Sequence, residues 1–275
     1  MKFLSPGLNL DSFFDSFAKA QERFLLLDYD GTLAPFRIKR DQAFPYPGVT
    51  ELLNDIRQTQ TTQLIIISGR AIQDLIPLLN LASLPEIWGS HGWEHLDSNG
   101  KYTISPIDEA TSEALSEAKN CIDSLGLMSF CEQKPVSLAI HWRGLRPESA
   151  NSIQSQIEEK WKELERKSNL KTHPFDGGIE LRIWGKDKGT AVESIIRNLN
   201  EESKVAYLGD DATDEDAFRV LKTRGLSVLV REELRSTDAD LWIKPPEELI
   251  EFLMRWRQAC KYSIRINYTN RHSNQ

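Results

Sequence analysis

Short apolar runs alternate with turn residues and with helical periodicity along much of the chain. Phe24 to Leu27, Leu64 to Ile67 and Val205 to Leu208 are strand-sized runs, and each ends at a polar or glycine-containing turn. Helical spacing of apolar residues follows at 71–79 and 214–221. Continuous apolar strands that alternate with helices are typical of a parallel sheet covered on both faces. The pattern therefore predicts a doubly wound, Rossmann-like α/β core.

The end of the chain continues this pattern. Short apolar runs at 228–230 and 241–243 predict two further strands, and a closing amphipathic helix is predicted from about Pro246 to Cys260. The last residues, 267–275, are polar, and we expect them to be frayed.

Residues 107–183 show a different order of elements. Here the pattern predicts helices at 108–124 and 147–167 and strands at 128–131, 137–142, 170–175 and 178–183. Paired helices beside an antiparallel sheet are typical of an α+β unit. We therefore predict a core made of residues 1–106 and 184–275, with residues 107–183 inserted as a cap domain.

The composition is that of an ordinary globular protein, with 275 residues, 40% of them hydrophobic, and a net charge of -7. An acidic chain repels nucleic acid and anionic lipid, so we expect neither as a partner. The beginning of the chain lacks the apolar stretch of a signal peptide, and no apolar run is long enough to cross a bilayer. Cys121, Cys131 and Cys260 are scattered and indicate neither a disulfide framework nor a zinc site. We therefore expect a cytoplasmic protein that acts as a monomer.

Aspartates and a serine follow the predicted strands. Asp28 and Asp30 come directly after the first strand, and Ser68 follows the second. The loop after the third strand carries Asp210, Asp211 and Asp214. Because loops at the carboxyl ends of the strands converge on one edge of a doubly wound sheet, these carboxylates should lie close together. Such a mutually repulsive set favours a divalent cation, and oxygen ligands without histidine or cysteine favour Mg²⁺ over Zn²⁺.

Each of these signals also has a simpler interpretation. The string Asp28 to Thr32 on its own is equally a turn with helix-capping aspartates, and Ser68 with Gly69 is equally a helix start. Thr213 with Asp216 predicts an N-terminal capping box in the third loop, which is compatible with metal binding. Lys188 precedes a helix predicted from about Gly189, where a lysine often only solvates the surface. A cation is needed here to oppose the aspartates, so we predict that Lys188 faces them.

Together the signals resemble the four ordered signatures of the haloacid dehalogenase superfamily of phosphohydrolases, at Asp28 to Thr32, Ser68, Lys188, and Asp210 with Asp214. The longer strings LLDYDGTL, SGR, KDKGTAV and LGDDATDEDAF are similar to those of trehalose-6-phosphate phosphatases, and the resemblance covers roughly residues 22–255. It implies a doubly wound core with a mixed α/β cap inserted between the second and third signatures.

The resemblance implies a role for each core residue. Asp28 would be the nucleophile that forms an aspartyl-phosphate, and Asp30 the acid that protonates the departing sugar oxygen and then the base that activates water. Ser68 and Lys188 would hold the transferring phosphoryl oxygens. Mg²⁺ would be held by Asp28, the Asp30 carbonyl and Asp210, with Asp214 and Asp211 beside it.

Polar residues at or beside the cap strands form a second group: Glu132, Lys134, His141, Arg143, Gly178, Glu180 and Arg182. On their own they are equally a solvated sheet face with cross-strand ion pairs. The resemblance implies that they hydrogen-bond sugar hydroxyls, since they match the family pattern E-x-K, H-x-R and G-x-E-x-R. His91 and Glu94 resemble a further family string near the hinge and are predicted to bind the substrate, although the family more often has asparagine where this chain has Ser90.

The sequence therefore predicts a magnesium-dependent phosphatase that acts on a small sugar phosphate, trehalose 6-phosphate. Two alternatives stay open. One is a phosphatase for another glycosyl phosphate, such as sucrose phosphate or mannosyl phosphoglycerate, and the other is a catalytically silent sugar-phosphate sensor. Silence is disfavoured because every position of the four signatures is filled.

Overall fold

The computed structural model describes residues 1–175, 177–197 and 199–272, the side chains of residues 18 and 262–272 aside. The chain divides into two compact units. The first, here called the core unit, comprises residues 1–103 and the chain from Asp187 onward, and the second, the inserted unit, comprises residues 104–186. The assignment of residues 107–183 as a cap domain stays a prediction.

The predicted strands and helices follow one another in the predicted order, and further elements that were not predicted lie among them. The strands are β1 (Lys2–Phe3), β2 (Arg23–Leu27), β3 (Gln63–Ile67), β4 (Glu86–Gly89), β5 (Glu94–Leu96), β6 (Tyr102–Ile104), β7 (Cys131–Lys134), β8 (Ser137–His141), β9 (Leu170–Phe175), β10 (Gly178–Ile183), β11 (Lys204–Gly209), β12 (Leu226–Val230) and β13 (Leu241–Ile243). The helices are α1 (Leu10–Lys19), α2 (Val49–Gln58), α3 (Ile72–Leu79), α4 (Glu109–Ser124), α5 (Pro147–Lys167), α6 (Lys188–Ile196), α7 (Glu215–Leu221) and α8 (Glu247–His272).

The core sheet has the strand order β1-β13-β12-β11-β2-β3-β4-β5-β6 in the described residues. Its strands from β13 to β4 are parallel, whereas β1 pairs antiparallel with β13 and β5 antiparallel with β4. The chain runs outward from β2 to β4 and later outward from β11 to β13, so the order reverses between β2 and β11. Ligands of doubly wound sheets bind at the carboxyl ends of the strands at such a reversal. The predicted doubly wound α/β fold is confirmed.

Both faces of the core sheet are buried because its central strands carry consecutive apolar residues after a polar first residue. Leu25 and Leu27 of β2 pack in one cluster with residues of α1, α2, α3 and α8. Phe24 and Leu26 pack in a second cluster with residues of α6 and α7. Each fully buried side chain of this size contributes about 1.5–3 kcal/mol relative to an exposed one. This two-sided burial fixes β2, and with it the loop that carries Asp28.

The inserted unit pairs two helices with an antiparallel sheet of order β7-β8-β10-β9. Along β10, Ile179, Leu181 and Ile183 alternate with Gly178, Glu180 and Arg182, as expected for a strand with two different faces. Helices α4 and α5 contact this sheet and bury apolar residues of their own, among them Trp161. The apolar positions therefore build the core of this unit, and the alternate positions collect on a polar face.

Two boundary predictions are wrong. Residues 128–130 form a 3₁₀ turn, and the strand predicted at 128–131 begins only at Cys131, because the chain reverses after α4 through Gly126 and Leu127. Helix α8 continues past Cys260 to His272, since no glycine or proline stops it, so residues 267–272 are helical where fraying was predicted. Residues 273–275 lie outside the described residues. Neither α8 nor any other helix in the described part of the chain has the length and apolar character required to cross a membrane.

Candidate active site

Asp28 stands at the carboxyl end of β2, directly beside the point where the strand order reverses. Its backbone N–H donates to the Leu208 carbonyl at 2.9 Å, which extends the pairing of β2 with β11 by one residue. Its carboxylate is 2% exposed and accepts from the Thr32 hydroxyl at 3.1 Å and from the Lys188 ammonium at 2.7 Å. Gly31 has φ +82°, and a Cβ there would collide with the Asp210 carboxylate. Glycine is therefore required at position 31 for the loop after β2 to approach the loop after β11.

Three carboxylates meet beside these loops. One oxygen each of Asp28, Asp210 and Asp214 lies within 4.8 Å of the others, and all three residues are buried. Asp214 accepts from the backbone N–H groups of Asp210 and Asp211 at 3.0 Å each, and its other oxygen accepts from Lys188 at 2.8 Å. The Tyr207 hydroxyl also donates to Asp214. Asp214 thus fixes the acidic loop and Lys188 at the same time.

The charges of this cluster are unbalanced, because one lysine faces three buried carboxylates. Burial raises the pKa of Asp28 to about 8, with Lys188 opposing that shift. Burial and the neighbouring Asp211 and Asp28 raise the pKa of Asp210 well above its usual range. Burial alone would lower the pKa of Lys188, but Asp214 and Asp28 outweigh it and raise that pKa. A bound divalent cation would relieve this repulsion, and the all-oxygen donor set fits Mg²⁺.

Asp211 lies beside this cluster and is held by the turn that follows it. Asp211 accepts at Oδ1 from the Thr213 N–H at 2.8 Å and from the Thr213 hydroxyl at 2.6 Å. It caps the turn at 212–214 in a capping box with Asp214, so the predicted box of Thr213 with Asp216 is wrong. Lys188 and these bonds outweigh burial and lower the pKa of Asp211.

The Asp30 carboxylate is held by an arginine that sequence analysis did not single out. Arg70 donates through Nε to one oxygen at 2.6 Å and through Nη2 to the other at 2.7 Å. The guanidinium also donates to the Arg40 carbonyl at 3.0 Å and lies over the Tyr29 ring. Such a two-point contact fixes the orientation of a carboxylate. The string SGR places Arg70 just after β3, at the sheet edge where the aspartates are expected, but it does not show which of them the arginine pairs with.

Ser68 and Lys188 lie where the sequence predicted. Ser68 follows β3, the neighbour of β2, is 1% exposed, and accepts through its hydroxyl oxygen from the Arg70 N–H at 3.1 Å. Lys188 is the first residue of α6, whose N-terminus is capped by Asp187. The cap sets the direction in which the helix starts, and so delivers the lysine to the buried carboxylates.

His91 and Glu94 belong to the core unit and lie next to the Ser68 loop. The His91 N–H donates to the Ser68 carbonyl at 3.0 Å, and the Ser90 N–H donates to the Arg70 carbonyl at 2.7 Å. Glu94 is 2% exposed, and its carboxylate accepts from the hydroxyls of Ser90 and Tyr102. The structure therefore brings both residues next to the Ser68 loop, with Glu94 enclosed by protein.

The polar face of the inserted unit brings the predicted sugar residues together. Glu180 accepts from the Lys134 ammonium at 2.7 Å and from the Ser137 hydroxyl at 2.6 Å. Glu132 bonds His141 at 2.9 Å and lies 4.0 Å from Lys134. The remaining members lie on or beside the same sheet: Arg182 pairs in register with Ser137, Gly178 lies against the Phe175 ring, and Arg143 lies beside Gly177.

A second arginine missed by sequence analysis holds the acidic loop from outside. Arg235 donates through Nη2 to the Asp211 carbonyl at 2.6 Å and pairs with Glu215. Glu215 in turn accepts from the Asp238 N–H at 2.8 Å. Nothing in the spacing of Arg235 marks it, because it contacts the acidic loop through a backbone carbonyl, which every residue has.

Comparison with known proteins gives consistent matches. A family model described as trehalose-phosphatase matches residues 26–240. The chain is 29% identical over 268 residues to a probable trehalose-phosphate phosphatase 4 of Oryza sativa subsp. japonica, covering 90% of this chain and 70% of that protein. It is 29% identical over 258 residues to a trehalose-phosphate phosphatase of Mycobacterium leprae, covering 86% of this chain and 58% of that protein.

Solved structures agree with the fold. The C-terminal domain of a trehalose-6-phosphate phosphatase of C. albicans superposes with a TM-score of 0.78 at 22% identity, covering 94% of this chain and 99% of that one. A haloacid dehalogenase-like hydrolase of Bacteroides thetaiotaomicron superposes with a TM-score of 0.62 at 16% identity, covering 85% and 99%. At these identities the likeness establishes the shared fold.

Proposed function

The chain belongs to the trehalose-phosphatase family, and from this we propose that it hydrolyses trehalose 6-phosphate to trehalose and phosphate. The family match makes it a phosphomonoester hydrolase. The observation that carries the proposal is the position of Asp28, buried at the reversal of the strand order and bonded to Lys188 at 2.7 Å. A carboxylate that is held in this way beside a lysine and two further aspartates has the surroundings of a nucleophile for phosphoryl transfer.

In the proposed reaction the Asp28 carboxylate attacks phosphorus, and the bond between phosphorus and the sugar oxygen breaks. Asp30 gives a proton to the departing oxygen. It then takes a proton from the water that attacks the aspartyl-phosphate, which releases phosphate and restores Asp28. Ser68 and Lys188 hold the phosphoryl oxygens as their charge develops.

The contact between Asp30 and Arg70 sets a condition on this reaction. Both Asp30 oxygens accept from the guanidinium, at 2.6 and 2.7 Å. To carry a proton, one oxygen has to be released toward the substrate while the other stays bonded. Arg70 therefore holds Asp30 in a defined orientation, and the proposed reaction requires one of the two bonds to open.

We further propose Mg²⁺ as the cofactor, held by Asp28, Asp210 and the Asp30 carbonyl, with Asp214 and Asp211 beside it. When bound, it would neutralise the excess of carboxylates and the charge of the phosphoryl oxygens. Support comes from the three buried carboxylates that face one lysine.

The inserted unit is proposed to be a cap that binds the sugar. On its polar face Lys134 is hydrogen-bonded to Glu180 and lies 4.0 Å from Glu132, and Arg182 on the same face adds a second cation to these two carboxylates. Acceptors and donors of this kind suit hydroxyl groups of a neutral disaccharide.

The free, scattered cysteines support a reducing compartment such as the cytoplasm, and a monomeric state stays a prediction.

A phosphate-release panel tests the proposal. Trehalose 6-phosphate, sucrose phosphate, mannosyl phosphoglycerate, glucose 6-phosphate and p-nitrophenyl phosphate would be compared, with Asp28→Asn as the control for contaminating activity. We expect trehalose 6-phosphate to have the highest kcat/KM. A clear preference for another glycosyl phosphate would replace the substrate assignment, and no release from any of them would favour the silent sensor.

Metal removal completes the test. Exhaustive chelation should stop phosphate release, and Mg²⁺ should restore it. Mg²⁺ should also raise the melting temperature of the wild type, since a ligand that binds only the folded state stabilises it. The rise should shrink in Asp210→Asn. Full activity after chelation, or an equal rise in both proteins, would contradict the metal assignment.

A further inference from the structure

The turn that connects β4 to β5 is held in an unfavourable backbone conformation. Ser90 has φ +47° and His91 has φ +56°, so two consecutive residues with side chains adopt the left-handed region. That region disfavours residues other than glycine, although asparagine tolerates it better than most. Such strain persists only where the surroundings enforce it, and it often marks a functional element.

Two hydrogen bonds tie this turn to the loop that carries Ser68. The Ser90 N–H donates to the Arg70 carbonyl at 2.7 Å, and the His91 N–H donates to the Ser68 carbonyl at 3.0 Å. Both donors belong to the two residues that adopt the left-handed conformation. The turn therefore holds the Ser68 loop through one backbone hydrogen bond to Ser68 and one to Arg70.

The His91 ring makes a third contact with the same loop. A Cβ at Gly69 would lie 2.7 Å from both Cε1 and Nε2 of His91, closer than atoms can approach without displacement. His91 is 8% exposed, so its ring has little room to move away. Gly69 is thus required by the imidazole that packs against it.

Glu94 holds the turn in place from the other side. One of its oxygens accepts from the Ser90 hydroxyl, and the other accepts from the Tyr102 hydroxyl at 3.0 Å. With only 2% of the residue exposed, the carboxylate is enclosed by these partners. A sugar hydroxyl would have to displace them in order to reach it.

We propose that Glu94 is a positioning residue of the phosphate site, and that it acts through the Ser90–His91 turn on the Ser68 loop. This departs from the prediction that His91 and Glu94 bind the sugar. It rests on the proposed function only in so far as Ser68 holds a phosphoryl oxygen. The consequence is that loss of Glu94 affects every phosphate substrate by the same factor, whatever the leaving group.

Glu94→Ala and Glu94→Gln, assayed on trehalose 6-phosphate and p-nitrophenyl phosphate, test this consequence. Loss of the buried acceptor should lower kcat/KM by about 10- to 100-fold on both substrates. Glu94→Gln keeps one carbonyl acceptor and should lose less. Glu180→Gln in the inserted unit is the control, since it should affect the sugar phosphate alone. A loss confined to trehalose 6-phosphate would assign Glu94 to the sugar site, and no loss on either substrate would reject the proposal.

Inhibition by orthovanadate separates positioning from a loss of folded enzyme. A smaller folded fraction lowers kcat but leaves the inhibition constant unchanged, whereas a displaced Ser68 loop weakens vanadate binding by several-fold or more. We expect the weaker binding in Glu94→Ala.

If that variant does not fold, Tyr102→Phe removes one donor to Glu94 at a residue that is 48% exposed, and a smaller shift of the inhibition constant in the same direction is expected. An unchanged inhibition constant in a folded variant would overturn the proposal. The vanadate and aryl phosphate measurements hold even if trehalose 6-phosphate proves not to be the substrate.

A double-mutant cycle tests the contact between Gly69 and His91. Gly69→Ala alone should lower activity on p-nitrophenyl phosphate by roughly 100-fold, because the Ser68 loop must shift to avoid the ring. In a His91→Ala background the same change should cost little, since the ring is gone. Losses that simply multiply would mean that the His91 ring does not support the loop.

Discussion

Each unit places a lysine between carboxylates, and the two lysines have different surroundings. In the core unit, Lys188 is 4% exposed at its side chain and lies 2.7 Å from Asp28 and 2.8 Å from Asp214. In the inserted unit, Lys134 is 8% exposed and lies 2.7 Å from Glu180 and 4.0 Å from Glu132. The core group includes a further buried carboxylate, Asp210. The inserted group instead includes the Ser137 hydroxyl and shares its sheet face with Arg182.

This difference indicates what each group can bind. The core group has more negative charge than its lysine can balance, so we expect it to need a cation before it accepts a phosphate dianion. In the inserted group, Arg182 on the same sheet face supplies a second cation for the two glutamates. Buried charges that are already paired lose little free energy when a neutral polyol replaces water. One cluster therefore suits the reacting phosphate, and the other suits hydroxyl groups. The following predictions test whether the two tasks are separated in this way.

The largest effect should follow from Asp28→Asn in the core unit. An amide of the same volume cannot attack phosphorus, so turnover should fall by at least about 10⁴-fold on every substrate. Circular dichroism should give an unchanged fold, because the amide oxygen of Asn can still accept from Lys188 while its NH2 group donates to the Thr32 hydroxyl, which can also accept. Measurable steady-state activity in a clean preparation would remove Asp28 from the role of nucleophile.

Asp30→Asn should have a smaller effect that depends on the leaving group. Loss of an acid-base group lowers the rate by about 10²- to 10⁴-fold, and most for leaving groups that need protonation. Hydrolysis of trehalose 6-phosphate should therefore fall more than hydrolysis of p-nitrophenyl phosphate, whose phenolate leaves unassisted. Rates measured on both substrates in parallel decide the matter, and equal losses would argue against Asp30 as the acid.

The partner of Asp30 illustrates how far the sequence could lead. The apolar runs located β2, β3 and β11, and the topology then placed Asp28, Ser68 and Asp210 at one edge, because residues directly after parallel strands must meet there. The fold and the order of the signatures follow from such local patterns. The pairing of Arg70 with Asp30 does not, since it joins residues 40 positions apart through the geometry of two loops.

Other misses have equally specific causes. The capping box was assigned to Thr213 and Asp216 from the usual spacing, whereas a turn at 212–214 precedes α7 and shifts the cap to Asp211. Glu94 is predicted to bind the substrate because its string resembles one of the family, and its burial by Ser90 and Tyr102 is invisible in a single sequence. Contacts that depend on backbone direction or on enclosure could not be predicted, whereas the positions of residues at strand ends could.

In the inserted unit, Glu180→Gln should affect only the sugar phosphate. An imperfectly paired polar contact costs about 1–3 kcal/mol, which is about tenfold to more than a hundredfold in kcat/KM for trehalose 6-phosphate. Hydrolysis of p-nitrophenyl phosphate should change little. Ser137→Ala is the matched control, because it removes a hydrogen bond to the same carboxylate and leaves its charge in place. Equal losses on both substrates would mean that Glu180 supports the folding of this unit and does not select the sugar.

The smallest effect concerns a histidine of each unit that stacks on a tryptophan. His95 in the core unit lies 4.1 Å from the Trp88 ring and bonds Glu86 at 2.9 Å. His173 in the inserted unit lies 6.2 Å from the Trp184 ring, and its Nε2 has no hydrogen-bond partner among the described residues. Burial and the nearby Arg182 lower the pKa of His173 to about 4.

In the unfolded chain His173 has its ordinary pKa of about 6.5, so it takes up a proton as the pH falls below that value. In the folded protein it does not bind this proton until the pH nears 4. Stability should therefore fall as the pH is lowered through this window, and His173→Gln should reduce the fall. Because His173 is partly exposed, the effect is at most about 1 kcal/mol, or roughly 2–4 °C in melting temperature. Melting curves at pH 7 and pH 5 for the wild type, His173→Gln and the control His95→Gln provide the measurement. An equal reduction in His95→Gln would mean that the loss of any stacked imidazole produces it, and an unchanged fall in His173→Gln would place the responsible group elsewhere.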